Sequence, residues 1–289
     1  MSSWDPNFGL PVPPVDMPYA TTACFWSSVA YLCVGVPILL YALYRIGHRE
    51  GRMMLMILIG GALCSYVEPL ADILGGCWHP EVGQPTVFKV LGRGIAPWTC
   101  IGYFTYFGGL GALGYLWFLR GATRRAIVAA FFIAVATDIF MENFFLHYQM
   151  YVYYGNQPLD YVGYLPLWWP PVNALGVLTG ITFVLLLERH VKGAALLLVP
   201  LAFPIGDLVS YALISYPGAI AVNQPDLPRW ATDLAGVAVW VLAAFMVRVV
   251  TNVLAQDSSF RQGNALIVPL PSSPAAESIV NPKMGKVSG

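Results

Sequence analysis

Charged residues are scarce in this 289-residue chain, and their scarcity excludes most classes of soluble protein. Only 10% of the residues are charged, whereas 57% are hydrophobic and the mean hydropathy is +0.64. A soluble domain carries about 25% charged residues, which cover its surface. The 15 basic and 15 acidic residues balance, so no nucleic-acid partner is indicated. The composition therefore predicts a polytopic membrane protein.

Several motifs that would indicate a known chemistry are also absent. The chain has no Walker loop and no CxxC among its five cysteines. The first twenty residues are polar and Pro-rich, so they lack the basic start and apolar core of a signal peptide. Cys24, Cys77 and Cys100 are expected near one face of the membrane, where a disulfide is one alternative and small buried thiols are the favoured one. No metal and no cofactor are expected.

Seven apolar stretches are long enough to cross the hydrocarbon core, which takes about 20 helical residues. They predict an all-α membrane domain over 21–254, after an extracytoplasmic segment 1–20 and before a disordered tail 255–289 rich in Ser, Pro and Gly. Basic residues gather in the odd-numbered connections, which places the N-terminus outside and the C-terminus in the cytoplasm. The predicted spans are 21–46, 53–75, 96–119, 126–147, 167–187, 193–215 and 230–254.

Carboxylates lie inside four of these apolar stretches. An acidic side chain at the centre of a membrane helix costs about 3 kcal/mol, so such residues are commonly functional. Because successive spans run in opposite directions, all of these acids fall in the outer half of the membrane, in a layer about 15 Å thick. We therefore expect them to meet in one dry chamber near the extracytoplasmic surface. They are Glu68, Asp72, Asp138, Glu142, Asp207 and Asp233.

Two pairs of these acids have a four-residue spacing, Glu68 with Asp72 and Asp138 with Glu142. This spacing places both members of a pair on one face of a helix. Two like charges so close in a low dielectric cannot both ionise readily, so one member should keep its proton near neutral pH. The alternative is that each acid is structural, bonded to a neighbouring Asn, Tyr or Arg. Asp72 and Asp233 also lie near enough to the interface to be solvated.

Aromatic residues gather at the same depth as the acids. An interfacial belt accounts for some of them, but those of the third span lie deeper. Aromatic faces stabilise a cation by about 2 kcal/mol where water is excluded. Acids beneath an aromatic lid therefore suit a reaction that proceeds through a carbocation. The residues predicted to line such a site are Tyr103, Phe104, Tyr106, Phe107, Trp168 and Trp169, with Asn143 and Asn173 as polar partners.

Three short motifs place acids within the apolar stretches: SYVEPLAD has Glu68, PIGDLVSY has Asp207 and RWATDLAG has Asp233. With the size and the seven predicted spans, they make the chain resemble the membrane-integral terpene cyclases of prenylated indoles and meroterpenoids. Members of that family lack the DxDD and DDxxD motifs of soluble cyclases, and this chain lacks both.

The resemblance implies an enzyme that protonates the olefin or epoxide of a prenyl chain and closes rings through carbocations, without metal or cofactor. It implies a lipophilic farnesyl-indole-type substrate that arrives from the bilayer, and a location in a bacterial plasma membrane. Glu68 and Asp207 become the first candidates for essential acids. The pair Asp138 and Glu142 departs from the family pattern and leaves the proton donor open.

Two other functions remain open. Intramembrane acids also act as proton relays, so a proton-coupled small-molecule transporter is one alternative, although no acid falls in the inner half of a span. A non-enzymatic lipid-binding membrane protein is the other. Retinal chemistry needs a lysine within a span, and all four lysines lie outside the predicted spans. They are Lys89, Lys192, Lys283 and Lys286.

Overall fold

The computed structural model describes residues 3–5, 9–121, 123–190 and 192–255, and this part of the chain is mostly helical. The tail predicted to be disordered lies outside the described residues, apart from Ala255. The predicted all-α class is confirmed. The α-helices are α1 (Thr21–Tyr44), α2 (Arg49–Cys64), α3 (Glu68–Gly75), α4 (Pro97–Tyr103), α5 (Gly111–Leu119), α6 (Arg124–His147), α7 (Pro170–His190), α8 (Ala202–Leu208), α9 (Tyr216–Val222) and α10 (Arg229–Ala255).

Three helical segments of other geometry continue these helices. A π-helical segment, Phe104–Leu110, joins α4 to α5, and a second, Val209–Ile214, follows α8. A 3₁₀ segment, Gly193–Leu201, precedes α8. π-Helical turns are rare and are frequent at functional sites. Both π-helical segments contribute side chains to the site described below.

Five helices in the described part of the chain are long and apolar enough to cross a membrane, and the bent pair α2–α3 makes a sixth if it counts as one span. These helices support a multi-pass membrane protein. The stretch 97–119, predicted as the third span, is helical throughout but is not one of these helices. Its five glycines and its Tyr, Trp and Thr side chains make it less apolar than the others.

The second predicted span is broken rather than straight. α2 and α3 meet at an angle of 47° across residues 65–67. Pro69 lies in the first turn of α3, where its missing N–H costs no hydrogen bond. Gly76 ends α3 with φ +59°, a left-handed conformation that glycine adopts without strain. The break makes Glu68 the first residue of α3 and places Asp72 one turn further, where it is buried.

α7 lies at the centre of the bundle, and most of its residues are buried. It packs against α5, α6, α8 and α10. The contact with α8 is a backbone contact, because a Cβ atom added at Gly206 would lie 2.6 Å from the backbone nitrogen of Gly180. Glycines at this crossing therefore set the distance between the two helices.

Two segments, 76–96 and 148–169, cover one end of the bundle, and one short antiparallel strand pair, Cys77–Trp78 with Val152–Tyr153, joins them. Arg93 strengthens this cover, since its guanidinium lies 4.5 Å from the Trp78 ring centroid and donates hydrogen bonds to the Cys77 carbonyl and the Tyr154 hydroxyl. The strand pairs are β1 (Ser3–Trp4) with β2 (Pro11–Val12), β3 (Cys77–Trp78) with β6 (Val152–Tyr153), and β4 (Phe88–Val90) with β5 (Arg93–Ile95).

We predict that Gly206→Ala destabilises the protein by about 2 kcal/mol, because two helix backbones would have to separate to admit the methyl group. Gly47→Ala is the control, since no atom lies within 4 Å of a Cβ atom added there. Thermal unfolding of the detergent-solubilised protein measures both variants. Equal midpoints would contradict the close α7–α8 packing.

Candidate functional site

A buried cavity of about 100 Å³ lies inside the bundle under the two covering segments. Four of the six acids predicted to share a chamber line it: Glu68 and Asp72 from α3, and Asp138 and Glu142 from α6. Both pairs with four-residue spacing therefore reach the same space from different helices. The remaining walls are mainly aromatic.

The first pair, Glu68 and Asp72, shares a single histidine. Nε2 of His79 lies 3.2 Å from Oε1 of Glu68 and 3.5 Å from Oδ1 of Asp72. The other oxygen of Glu68 accepts a hydrogen bond from the Tyr103 hydroxyl. His79 belongs to the segment after α3 and stacks on Tyr151, with ring centroids 5.0 Å apart. This pair thus has a cationic partner at hand.

The charge of the His79 imidazole depends on its surroundings. Burial alone would lower the pKa of His79, because it disfavours the charged imidazolium. The nearby carboxylates of Asp72 and Glu68 outweigh this effect, so the pKa of His79 is raised above its ordinary value. The imidazolium form is the one that pairs with both carboxylates.

The second pair, Asp138 and Glu142, is joined by an amide instead. Nδ2 of Asn173 on α7 donates to both oxygens of Asp138, at 3.1 and 3.2 Å, and to Oε1 of Glu142 at 2.7 Å. Tyr153 donates to Oε2 of Glu142 at 2.9 Å, and Tyr211 donates to Oδ1 of Asn173 at 2.7 Å. Among the described residues, no Lys, Arg or His forms an ion pair with either carboxyl group. Asn173 was predicted to be a polar partner of the acids, and it contacts both of them.

Stacked aromatic rings form much of the cavity wall. Tyr103 and Phe107 stack with centroids 4.9 Å apart, and Trp169 stacks on Tyr211 at 5.4 Å. The first π-helical segment places Tyr106 and Phe107 on the cavity side, and the second places Tyr211 there. The predicted wall residues that line the cavity are Tyr103, Tyr106, Phe107 and Trp169.

Asp207 is fully buried but does not line the cavity. It lies behind Phe107, since a Cβ atom added at Gly176 would lie 2.7 Å from Oδ1 of Asp207 and 3.0 Å from the Phe107 ring. Within the described residues, the carboxyl oxygens of Asp207 accept no hydrogen bond from a nitrogen or hydroxyl group, and the Cys64 thiol is their polar neighbour. Any effect of Asp207 on a ligand in this cavity is therefore indirect.

The expectation that Asp233 shares the chamber is wrong. Its carboxylate pairs with Arg229, one turn earlier on α10, at 2.8 Å. It also accepts hydrogen bonds from the backbone N–H of Leu159, at 2.8 Å, and from the Tyr161 hydroxyl. Asp233 therefore fastens the segment 148–169 to α10.

Three residues predicted to bind substrate have structural contacts instead. Phe104 packs where α1 approaches at Gly35. Trp168 is fully buried and donates to Oε1 of Gln157 at 3.0 Å. Oδ1 of Asn143 accepts a hydrogen bond of 2.9 Å from the backbone N–H of Tyr164. None of the three lines the cavity.

Sequence reasoning missed His79, although it touches two of the acids. The residue lies in an irregular segment, where no periodicity predicts the direction of a side chain. The one signal is the Gly75–Gly76 pair, which marks the end of α3 and the point where the chain can turn back. Other lining residues that sequence reasoning did not single out include Tyr31, Phe145 and Tyr211.

One group of residues in the described chain has metal-ligand geometry. Asp72, Cys77 and His79 are all buried, and their ligand atoms lie within 4.8 Å of one another. Carboxylate, thiolate and imidazole are ligands that zinc accepts. All five cysteines are free, so Cys24, Cys77 and Cys100 form no disulfide.

No family model, no curated protein and no solved structure matches this chain, so its function is argued from the geometry of the cavity.

We predict that His79 makes stability depend on pH. Its pKa is raised in the folded state, so its contribution is fully present below the unfolded value of about 6.5 and is lost as the pH rises through the folded value. Wild type should therefore lose stability relative to His79→Gln as the pH rises above about 6.5. Unfolding midpoints measured across this range test the prediction, with His147→Gln as the control at an exposed histidine. A constant difference between wild type and His79→Gln would contradict it.

Proposed function

We propose that the protein is a membrane-embedded terpene cyclase that acts by Brønsted-acid catalysis on a prenyl chain of the farnesyl-indole type. One observation carries the proposal: two bridged pairs of carboxyl groups and stacked aromatic rings share one buried cavity. The proposal includes seven spans, with the N-terminus outside and the cavity near the extracytoplasmic surface of a bacterial plasma membrane. It includes no metal or cofactor.

The reaction that suits this cavity begins with proton transfer. A carboxylic acid gives its proton to the terminal olefin or epoxide of the chain, and the π electrons or the epoxide oxygen form the new bond to hydrogen. The tertiary carbocation is then attacked by further double bonds, and each attack forms a ring and moves the charge. A carboxylate finally removes a proton next to the cation, and the C–H electron pair becomes a new double bond.

The residues of the cavity wall suit each step of this reaction. The faces of Tyr103, Phe107 and Trp169 can stabilise the travelling positive charge. Exclusion of water protects the cation from capture. A buried carboxylic acid is a poor donor unless hydrogen bonds stabilise the anion that it leaves. Asn173 and Tyr153 already donate such bonds to the α6 pair.

The substrate is larger than the cavity, because even a cavity of about 150 Å³ holds only a molecule the size of benzene. A second space of about 230 Å³ lies one helical turn further along α6 and α7, and its lining is almost wholly apolar. In the proposal, the reacting end of the chain occupies the acidic cavity and the rest extends into this groove from the bilayer. Thr137 and Ala174, which line this second space, directly adjoin Asp138 and Asn173 of the acidic cavity in the sequence.

We predict that Glu68→Gln abolishes formation of the cyclised product while the protein still inserts and folds, because the amide can neither hold a negative charge nor accept the proton. Loss of a general acid or base costs about 10²–10⁴-fold in rate. Asp207→Asn should cause a smaller loss, because Asp207 does not line the cavity. Cyclisation of 3-farnesylindole in proteoliposomes, followed by mass spectrometry, measures both variants.

Asp226→Asn is the matched control, because it makes the same change of acid to amide at an exposed position outside the cavity. Full activity in both Glu68→Gln and Asp207→Asn would remove these acids from the reaction. Absence of cyclisation by wild type, tested also with the 10,11-epoxide of the probe, would count against the proposed function itself.

A further inference from the structure

We infer that the cavity has a fixed chemical direction: the Asp138–Glu142 pair donates the proton that starts the reaction, and Glu68 accepts the proton that ends it. This inference rests on the proposed function and goes beyond it by assigning opposite roles to the two carboxyl pairs. The contacts around each pair carry the assignment.

The surroundings of Asp138 and Glu142, the α6 pair, favour one proton shared between their two carboxyl groups. Asp138 and Glu142 are buried, and one amide group of Asn173 donates to both. An amide supplies hydrogen bonds but no positive charge, and no cationic side chain of the described chain pairs with either carboxyl group. Two adjacent carboxylates without a counter-ion are strongly disfavoured in an apolar interior. The pair therefore holds one proton between its two carboxyl groups and can give it up.

Asn173 is the positioning residue of this donor. Its Oδ1 atom accepts from Tyr211, so the amide is oriented with its N–H groups toward the two acids. Tyr211 in turn stacks on Trp169. After the proton leaves, Asn173 and Tyr153 donate to the two carboxylates that remain.

The α3 pair has the opposite surroundings. The imidazole of His79 lies within hydrogen-bond reach of Glu68 and close to Asp72, and Tyr103 donates to Glu68 as well. The Arg93 guanidinium lies nearby, where it contacts the carbonyl of Cys77. Hydrogen-bond donors and positive charge thus surround Glu68, and such surroundings suit the group that accepts the final proton. A carboxylate can accept a proton but cannot donate one.

The proposed series of reaction steps balances in protons and electrons. The α6 pair loses one proton as a C–H bond forms, and the carbocation in the cavity balances the extra negative charge. Glu68 gains one proton as the last C–H bond breaks and its electron pair forms the final double bond. The product is an isomer of the substrate, so the proton must return to the α6 pair before the next turnover.

The first experiment incubates 3-farnesylindole with the purified protein in deuterated buffer and analyses every product. In Asp138→Asn and Glu142→Gln we expect about a 10²-fold or greater loss of all deuterium incorporation, with the substrate recovered unchanged. In Glu68→Gln we expect deuterium at the initiating carbon, but in mixed alkenes or water-captured alcohols instead of the cyclised product. Unchanged substrate in Glu68→Gln, with deuterium still incorporated by both α6 variants, would reverse the direction and overturn the inference.

The role of Asn173 has its own variant. Asn173→Leu keeps the approximate size of the side chain but removes both N–H donors. We expect its initiation rate to fall about 10-fold or more and the pH dependence of initiation to shift, since the carboxyl pair would lose the bonds that stabilise its ionised form. A fall in protein yield with an unchanged pH profile would assign Asn173 a structural role only and contradict this part of the inference.

The second experiment does not depend on turnover. Infrared spectroscopy of wild type at neutral pH, compared with each variant, should show a carboxylic-acid C=O band that is lost or shifted in Asp138→Asn and Glu142→Gln. The band should remain in Glu68→Gln and in the control Asp226→Asn. This result would support the donor pair even if wild type left 3-farnesylindole unchanged and the proposed substrate failed. Loss of the band in Glu68→Gln alone would make Glu68 the protonated acid and overturn the inference.

Discussion

Four carboxyl groups, three of them buried, line one small and largely aromatic cavity, and this is the constraint on which the rest of the structure depends. Such groups cannot all be ionised there without counter-charges. The two pairs have different partners. His79 contacts the carboxyl groups of Glu68 and Asp72, whereas the amide of Asn173 donates hydrogen bonds to those of Asp138 and Glu142. Two chemically similar pairs thereby acquire different electrostatic surroundings, which is the condition for an acid and a base to work in one site.

Irregular backbone brings these groups together. The break between α2 and α3 makes Glu68 the first residue of a new helix, and the two π-helical segments bring Tyr106, Phe107 and Tyr211 to the cavity. The two covering segments, 76–96 and 148–169, contribute His79 and Tyr153 to the cavity wall. The helix break and both π-helical segments thus each coincide with residues of the cavity wall, as is common where function sets the geometry.

Of the three acids that suggested a resemblance to membrane terpene cyclases, only Glu68 lines the cavity. Asp207 lies behind Phe107, and Asp233 forms an ion pair with Arg229 outside the cavity. The α6 pair, which has no counterpart in the family pattern, is central here. The chemistry proposed for this chain therefore rests on four facing carboxyl groups more than on the short motifs.

The sequence by itself determined the helical membrane class, the approximate bounds of most helices and the candidacy of Glu68, Asp72, Asp138 and Glu142. These features follow from local apolar runs and from the four-residue period of a helix face, which need no knowledge of neighbours. Only the tertiary structure decided which acids share a cavity and which partner each one has. Those outcomes depend on helix rotation, on the break before Glu68 and on the return of His79 over α3. Each of these is set by packing between distant segments, which a single sequence does not encode as a local pattern.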